Sequence, residues 1–312
     1  MAVFTKVDIN TFTPWVRRHC GFSRPSELIP ITEGIENSNY KFIADGKAYV
    51  FTIFEVWKMP QIEYYVQLMR HLAKNKMPVP VPVCPPALWE YKPGLVIPFI
   101  ESAWLAIPSP QQCRLIGDIA ARLHLAVADF EPFMNNPRNA DWRWGAANKV
   151  RSTLSQNEYE ILDEEMARDA EFSRLPLPAT ACHCDLFRNN VLWRQNAVSA
   201  IIDFYFGGND ILIFDLAVCA CDWCFDADRK QFNPAKLKNL IAGYTARRRL
   251  CDLEKERLAD AFCVAALRFW LSRLFDIRFP RRAEVIIPHN PDYFKAILLA
   301  ARQLCPDDIL SE

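Results

Sequence analysis

Between residues 28 and 54 apolar positions alternate with polar ones in short runs, a pattern that predicts strands over 28–32, 39–44 and 48–54. Asp45-Gly46 separates the last two and is a strong two-residue hairpin signal. Ahead of them, 8–19 reads as a short helix with Asn10 or Thr11 as its cap. Behind them, 60–74 has proline in its first turn and an apolar stripe at Ile62, Tyr65, Val66, Met69 and Leu72. Alternating prolines over 77–86 forbid helix and give an extended connector. Two further strands, 87–91 and 95–100, flank Lys92-Pro93-Gly94. After Glu101 the period lengthens to that of helices, so the pattern predicts an α+β chain with a sheet-rich part over 1–101 and a larger, mainly helical part over 102–312.

In the second part, Ser109-Pro110 opens a helix that continues through Leu115, Ile119, Leu123, His124 and Val127, with serine as cap and proline at the first position; His124 reads as structural. Residues 130–147 read as an irregular loop rich in aromatic and charged groups, either facing a substrate or packing as an insert. A solvated helix over 148–172 is expected next, then strands at 178–184, 191–194 and 197–204. A helix follows from Phe214-Asp215 to about 225, and three more, over 234–249, 252–277 and 291–305, read as core.

Composition narrows the chemistry. Lys and Arg together number 37, as do Asp and Glu, so no net field recruits nucleic acid or an anionic membrane. No run approaches the ~20 apolar residues of a membrane span and no secretory signal is read at the start, so a cytoplasmic location is expected. Eleven cysteines are an odd count in a long chain. They read as reduced, buried thiols rather than a disulfide framework, or a zinc site built from Cys182, His183, Cys184, Cys219, Cys221 and Cys224.

Candidate chemistry concentrates in Cys182-His183-Cys184-Asp185-Leu186-Phe187-Arg188-Asn189-Asn190, followed by Ile201-Ile202-Asp203-Phe204. The predicted strands bring Asp185, Asn190 and Asp203 to one rim. A carboxylate to accept a hydroxyl proton, with an amide oxygen and a second carboxylate for a hard cation, is the inventory of phosphoryl transfer. His-x-Asp-x-x-x-x-Asn followed by Asp-Phe resembles the catalytic loop and metal aspartate of the kinase-like phosphotransferases, and most closely their small-molecule branch, the aminoglycoside phosphotransferases and choline kinases.

That resemblance implies a two-lobed, protein-kinase-like fold with ATP held between the lobes. It makes Asp185 the proton acceptor, Asn190 and Asp203 the Mg²⁺ ligands, His183 a residue that holds the loop, and Asp215 a buried brace. Arg188 either steadies the transferred phosphate or is simply exposed. Glu33-Gly34-Ile35-Glu36-Asn37-Ser38-Asn39 is similar to the family's nucleotide-covering loop, which makes Gly34, Asn37, Ser38 and Asn39 phosphate-loop candidates. Thr52 stands where the family's phosphate-pairing lysine is normally found, with Lys41 on the neighbouring strand as a substitute charge. Glu63 stands at the place of that lysine's partner, or is an ordinary solvated glutamate.

Taken over nearly its whole length, the chain resembles the kinase-like homoserine kinases of this family. The likeness rests on Val-Phe-Thr at 3–5, Glu-Gly-Ile-Glu-Asn-Ser-Asn-Tyr at 33–40, Tyr-Val-Phe-Thr-Ile-Phe-Glu at 49–55, Asn-Pro-Arg at 136–138 and His-Cys-Asp-Leu-Phe-Arg-Asn-Asn at 183–190. It implies L-homoserine as phosphoryl acceptor, on the way to threonine. An amino-acid substrate calls for a guanidinium and an acid, and Arg138 or Arg143 with Asp141 are the candidates. The rival readings are another kinase of this fold, acting on an aminoglycoside, choline or ethanolamine, or a sugar, and a non-catalytic binding protein.

Overall fold

The computed structural model describes residues 5–31, 36–280 and 289–310, and its contacts divide the chain into two compact units. The first opens with helix α1 (Ile9–Cys20), capped not by Asn10 or Thr11 but by Asp8, whose carboxylate accepts the Asn10 N–H at 2.7 Å. Strands β1 (Ile29–Ile31), β2 (Ser38–Ala44) and β3 (Lys47–Ile53), helix α2 (Met59–Lys74), and strands β4 (Ala87–Trp89) and β5 (Lys92–Pro98) follow. The strands form one antiparallel sheet in the order β1-β2-β3-β5-β4. Asp45 and Gly46, at φ 50° and 73°, make the β2–β3 turn that their sequence announced.

Strand alternation decides what each face of this sheet carries. Ser38, Tyr40, Phe42 and Ala44 are buried on one side, where Tyr40, Phe42 and Ala44 share a core with Phe12 and Val16 of α1; the Phe12 ring meets those of Phe42 and Phe51 at 5.0 and 4.9 Å. Asn39 and Lys41 take the other face, opposite Thr52 and Val50. Helix α2 buries Ile62, Tyr65, Val66, Met69 and Leu72, the stripe read from its sequence. The expectation of reduced thiols fails at one pair: Cys20, at the end of α1, and Cys84, in the proline-rich connector, form a disulfide with Cα atoms 5.2 Å apart.

The second unit begins at Trp104. Its helix α3 (Pro110–Ala126) starts as read, with Ser109 and Gln112 capping each other reciprocally. The loop expected over 130–147 is shorter than the sequence suggested, because Asn139 accepts the Trp142 N–H and starts α4 (Ala140–Val150) inside it. The single helix expected over 148–172 is broken after Val150, and α5 (Gln156–Phe172) restarts where Ser155 and Glu158 form a new cap.

Strand β6 (Ala179–Cys182) leads into the candidate catalytic loop. Strands β7 (Val191–Arg194) and β8 (Ala197–Ile201) then form a two-stranded sheet, and Leu192–Tyr205 clusters with the first unit, not the second. Ala103 and Trp193 exchange backbone hydrogen bonds at 3.3 and 2.7 Å, and Tyr205 packs its ring on Phe54 and Tyr65.

Back in the second unit, β9 (Gly208–Ile211) pairs antiparallel with β6, a strand the glycine-rich sequence concealed. Helices α6 (Leu212–Trp223), α7 (Pro234–Thr245), α8 (Asp252–Glu256), α9 (Leu258–Arg278), α10 (Pro291–Ala301) and α11 (Pro306–Leu310) complete it, with the two-residue strands β10 (Phe225–Asp226) and β11 (Gln231–Phe232) between α6 and α7. Helices α3 and α7 cross so closely that a Cβ on Gly117 would lie 1.9 Å from the Leu240 carbonyl oxygen, and one on Gly243 2.0 Å from that of Arg114. Only glycine fits at either place. No helix among the described residues is long and apolar enough to cross a membrane.

Candidate active site

The loop after β6 is held in shape by a buried acid. Asp215, in the first turn of α6, accepts the Cys184 N–H at 2.7 Å, the His183 N–H at 3.2 Å and His124 Nε2 at 2.9 Å, while His124 Nδ1 meets the Tyr244 hydroxyl at 2.8 Å. Burial alone would raise the Asp215 carboxyl, but His124 and the backbone donors outweigh it and hold it below the usual carboxylate range. The bracing role expected of Asp215 is therefore visible as hydrogen bonds, and His183 is fully buried within the braced segment. Cys184 adopts φ 60°, and this left-handed residue sets the chain's direction immediately before Asp185.

Asp185 and Asn190 are brought together. Asn190 donates from Nδ2 to the Asp185 carbonyl at 2.7 Å and to its carboxylate Oδ2 at 3.0 Å. With its amide donors spent this way, the buried Asn190 keeps its carbonyl oxygen for another partner. Arg188, read from the sequence as a possible phosphate contact, is committed elsewhere. Its Nε and Nη2 take both oxygens of Asp222 at 3.0 and 3.1 Å, Nη1 donates to the Ala106 carbonyl, and its backbone N–H also goes to Asp222. It fastens the loop to α6, and that bidentate fit leaves its guanidinium no free face for phosphate.

Asp203 belongs to the first unit, just beyond β8, at φ 62°. Crowding by surrounding protein atoms, and after it the charge of Glu36, push its carboxyl up to about 6, although the residue keeps an exposed face. An exposed acid beside a second acid is a place that a divalent cation would relieve, and oxygen donors of this kind suit one.

The nucleotide-loop candidates separate by strand face. Gly34 lies outside the described residues. Asn37 is buried, with Oδ1 accepting no hydrogen bond among them. Ser38 faces the α1 side: its hydroxyl donates to Glu55 at 2.6 Å and accepts the Thr5 N–H at 2.9 Å, in a network that Lys92 completes through Glu55 and Thr5. Its hydroxyl is thus committed to this network, as β2 alternation directs. Thr52 donates to Asn39 Oδ1 at 2.7 Å, so these two occupy each other on the opposite face. Glu63 is exposed on α2 and forms no ion pair among the described residues, as a solvated glutamate does. Lys41 stands 3.9 Å over the Phe99 ring and lines a cavity of about 600 Å³ with Ala48, Tyr49, Glu101 and Arg194.

Of the substrate candidates, Arg143 is corrected. It is buried, its Nε and Nη2 bind Asp169 of α5 at 2.9 and 2.6 Å, and its remaining donors reach the Arg138 carbonyl and Ser173. Such a matched fork holds helices together and has nothing left for a ligand. Arg138 is half-buried, 4.3 Å over Trp142 and 5.3 Å from the Phe206 ring; Asp141 is exposed in the first turn of α4. Sequence reasoning missed Arg268, in the middle of α9 and only 3% exposed. Its guanidinium lies 3.7 Å from the Phe269 ring centre and 5.3 Å from that of Phe206, and burial pushes its pKa down to about 10, with the charge of Asp185 acting the other way. A lone charge within Ala-Ala-Leu-Arg-Phe-Trp-Leu was the signal available.

The cysteine cluster does not assemble a zinc site. The described residues offer one group of metal-binding type, His124, Cys182 and Asp215, whose histidine and aspartate already bond each other. Burial raises the thiols of Cys184, Cys219, Cys221 and Cys224, which keeps them protonated.

Residues 27–253 match the model of the phosphotransferase enzyme family. The chain is 35% identical over 311 residues to a homoserine kinase of Methylobacillus flagellatus, covering 97% of each chain. It is 35% identical over 315 residues to one of Paraburkholderia phymatum, covering 96% of this chain and 97% of that one. Among solved structures, an amicoumacin kinase in complex with AMP-PNP, Ca²⁺ and Ami superposes with a TM-score of 0.70 at 14% identity, covering 98% of this chain and 96% of the other. A choline kinase from Cryptosporidium parvum does so with 0.63 at 16%, covering 95% of each. These neighbours share the protein-kinase-like fold.

Proposed function

The chain belongs to the phosphotransferase enzyme family, and from that premise we propose that it is an ATP-dependent homoserine kinase, moving the terminal phosphoryl group of ATP to the side-chain hydroxyl of L-homoserine. The observation that carries the chemistry is the braced loop, in which Asp215 fixes the backbone before Asp185 and Asn190 fixes Asp185 itself. The near full-length likeness to homoserine kinases carries the acceptor.

Asp185, half-buried and held by Asn190, takes the hydroxyl proton as the acceptor oxygen attacks phosphorus. Asn190, through its unspent carbonyl oxygen, and Asp203, an exposed carboxylate beside the charge of Glu36, are the residues to hold a divalent cation, which we take to be Mg²⁺. When bound, that cation would neutralise phosphate charge. The cavity under Lys41 and Phe99 has the size and the mixed aromatic and basic lining to take a nucleotide base. Positioning supplies most of the rate in such a reaction, which is why so many side chains here serve to hold a loop still. We further place the enzyme in the cytoplasm, in threonine formation.

The choline reading loses its main support. Trp142 already carries the Arg138 guanidinium, and Trp144 is 66% exposed, so the pair builds no cage for a quaternary ammonium. A coupled ADP-release assay over L-homoserine, amino alcohols, choline and an aminoglycoside is the test. Turnover on L-homoserine should be lost in Asp185→Asn and on chelation of divalent cations, then return with added Mg²⁺. Equal turnover of choline, or an undiminished Asp185→Asn rate, would sink the proposal.

A further inference from the structure

Arg268 is at odds with its surroundings. Ala265, Ala266, Leu267, Phe269, Trp270 and Leu271 around it on α9 are all buried and apolar. Among the described residues its guanidinium forms no hydrogen bond and no ion pair, and Nε is sealed from solvent without an acceptor. Burying that donor unmade costs more than stacking on Phe269 and Phe206 returns. Arg143 shows what this unit does with an arginine whose task is structural: it supplies Asp169 and gives each guanidinium nitrogen an acceptor. Arg268 has no such partner among the described residues.

The neighbouring charges say what is missing. Arg138 and Arg268 both lie 5.3 Å from the centre of the Phe206 ring, two cations around one apolar plate, and each disfavours the other's charge. An anion would satisfy Arg268 and relieve the repulsion between the two. Asp185 lies within electrostatic reach of Arg268 but forms no ion pair with it. The acceptor of the proton and the unsatisfied guanidinium thus interact electrostatically without an ion pair between them. L-homoserine has its hydroxyl and its carboxylate separated by three carbons.

Resting on the homoserine reading above, we propose that Arg268, assisted by Arg138, binds the α-carboxylate of the amino-acid substrate while its hydroxyl is presented to Asp185. This makes Arg268 a specificity determinant: it rewards an alcohol that carries a carboxylate and leaves a buried guanidinium unpaired for one that does not. The transferred phosphoryl group is the other anion in the reaction, but it comes with the nucleotide, whereas a carboxylate comes on the molecule that must dock at Asp185.

The test compares L-homoserine with 3-aminopropan-1-ol, which keeps the amine and hydroxyl but lacks the carboxylate, in wild type, Arg268→Met and Arg268→Lys. Methionine should not unfold the protein, since replacing a buried unpaired charge by an apolar chain of like volume is neutral or stabilising; a thermal melt checks this. Arg268→Met should lower kcat/KM for L-homoserine about 100-fold, mainly through KM. KM for ATP and kcat/KM for the aminoalcohol should stay within about threefold, so that discrimination collapses. Lysine should restore part of it. Equal losses on both substrates, with a shifted pH profile, would assign Arg268 to Asp185 or to the phosphoryl group and overturn the proposal. An unchanged homoserine KM would overturn it too. Failure of the wild type to use L-homoserine at all would instead reject the underlying functional reading.

Discussion

Replacing Arg143 by methionine is expected to damage the fold and not substrate recognition. The substitution removes two hydrogen bonds to Asp169, at 2.9 and 2.6 Å, one to the Arg138 carbonyl at 2.9 Å and one to Ser173 at 3.2 Å. Asp169 is 1% exposed and would keep only the Ser173 hydroxyl at 3.1 Å. Leaving one charge of a buried pair behind costs about 3–5 kcal/mol, a fifth or more of the ~5–15 kcal/mol that holds an ordinary domain folded. Arg143→Met/Asp169→Leu removes both charges and should recover about 3 kcal/mol of that loss. Urea unfolding followed by tryptophan fluorescence reads both quantities. At a temperature where the double variant is folded, its KM for L-homoserine should stay within about twofold of wild type, since neither side chain faces substrate. A single variant that loses less than about 1 kcal/mol, or a folded double variant with KM raised tenfold, would refute the structural assignment.

Asp215→Asn keeps the shape of the brace and removes its charge from three donors. It should cost about 2–4 kcal/mol and lower kcat more than tenfold with KM for ATP little changed, measured by urea unfolding and steady-state kinetics. His124 supplies a pH dependence. Burial opposes its charge, yet Tyr244 and Asp215 raise its pKa well above 6.5. A raised folded-state pKa contributes stability that is complete below 6.5 and is lost as pH climbs through the folded value, so the unfolding free energy should decline on the alkaline side. In His124→Gln that decline should flatten; parallel curves for the two proteins would contradict it.

Local chemistry made parts of this molecule readable in advance. Asp45-Gly46 and Ser109-Pro110 act through bonds within a few residues, and the turn and the cap stand where their sequences placed them. The spacing of Asp185 and Asn190 lies within one loop, and so does their hydrogen bond. What sequence could not supply was the partner of each arginine. Arg143 and Arg268 are equally charged on paper. The first meets Asp169, a residue on what read as a solvated helix, and the second meets no partner among the described residues, so the sequence named the structural guanidinium and passed over the unsatisfied one. The Ser38 hydroxyl shows a related limit: a phosphate-loop motif names residue types, but strand parity decides which face a hydroxyl takes. The Cys20–Cys84 pair, 64 positions apart, had no local signal at all.

The polypeptide leaves its first unit after Ala103, re-enters it at Leu192 and departs again after Tyr205. Asn190 and Asp203 are each within two positions of one of those passages. The amino-terminal portion is therefore not a free-standing module: a protein cut at residue 101 would be deprived of β7, β8 and the carboxylate at 203. On the ribosome, nearly two thirds of the message must be translated before β7 and β8 can join the first unit.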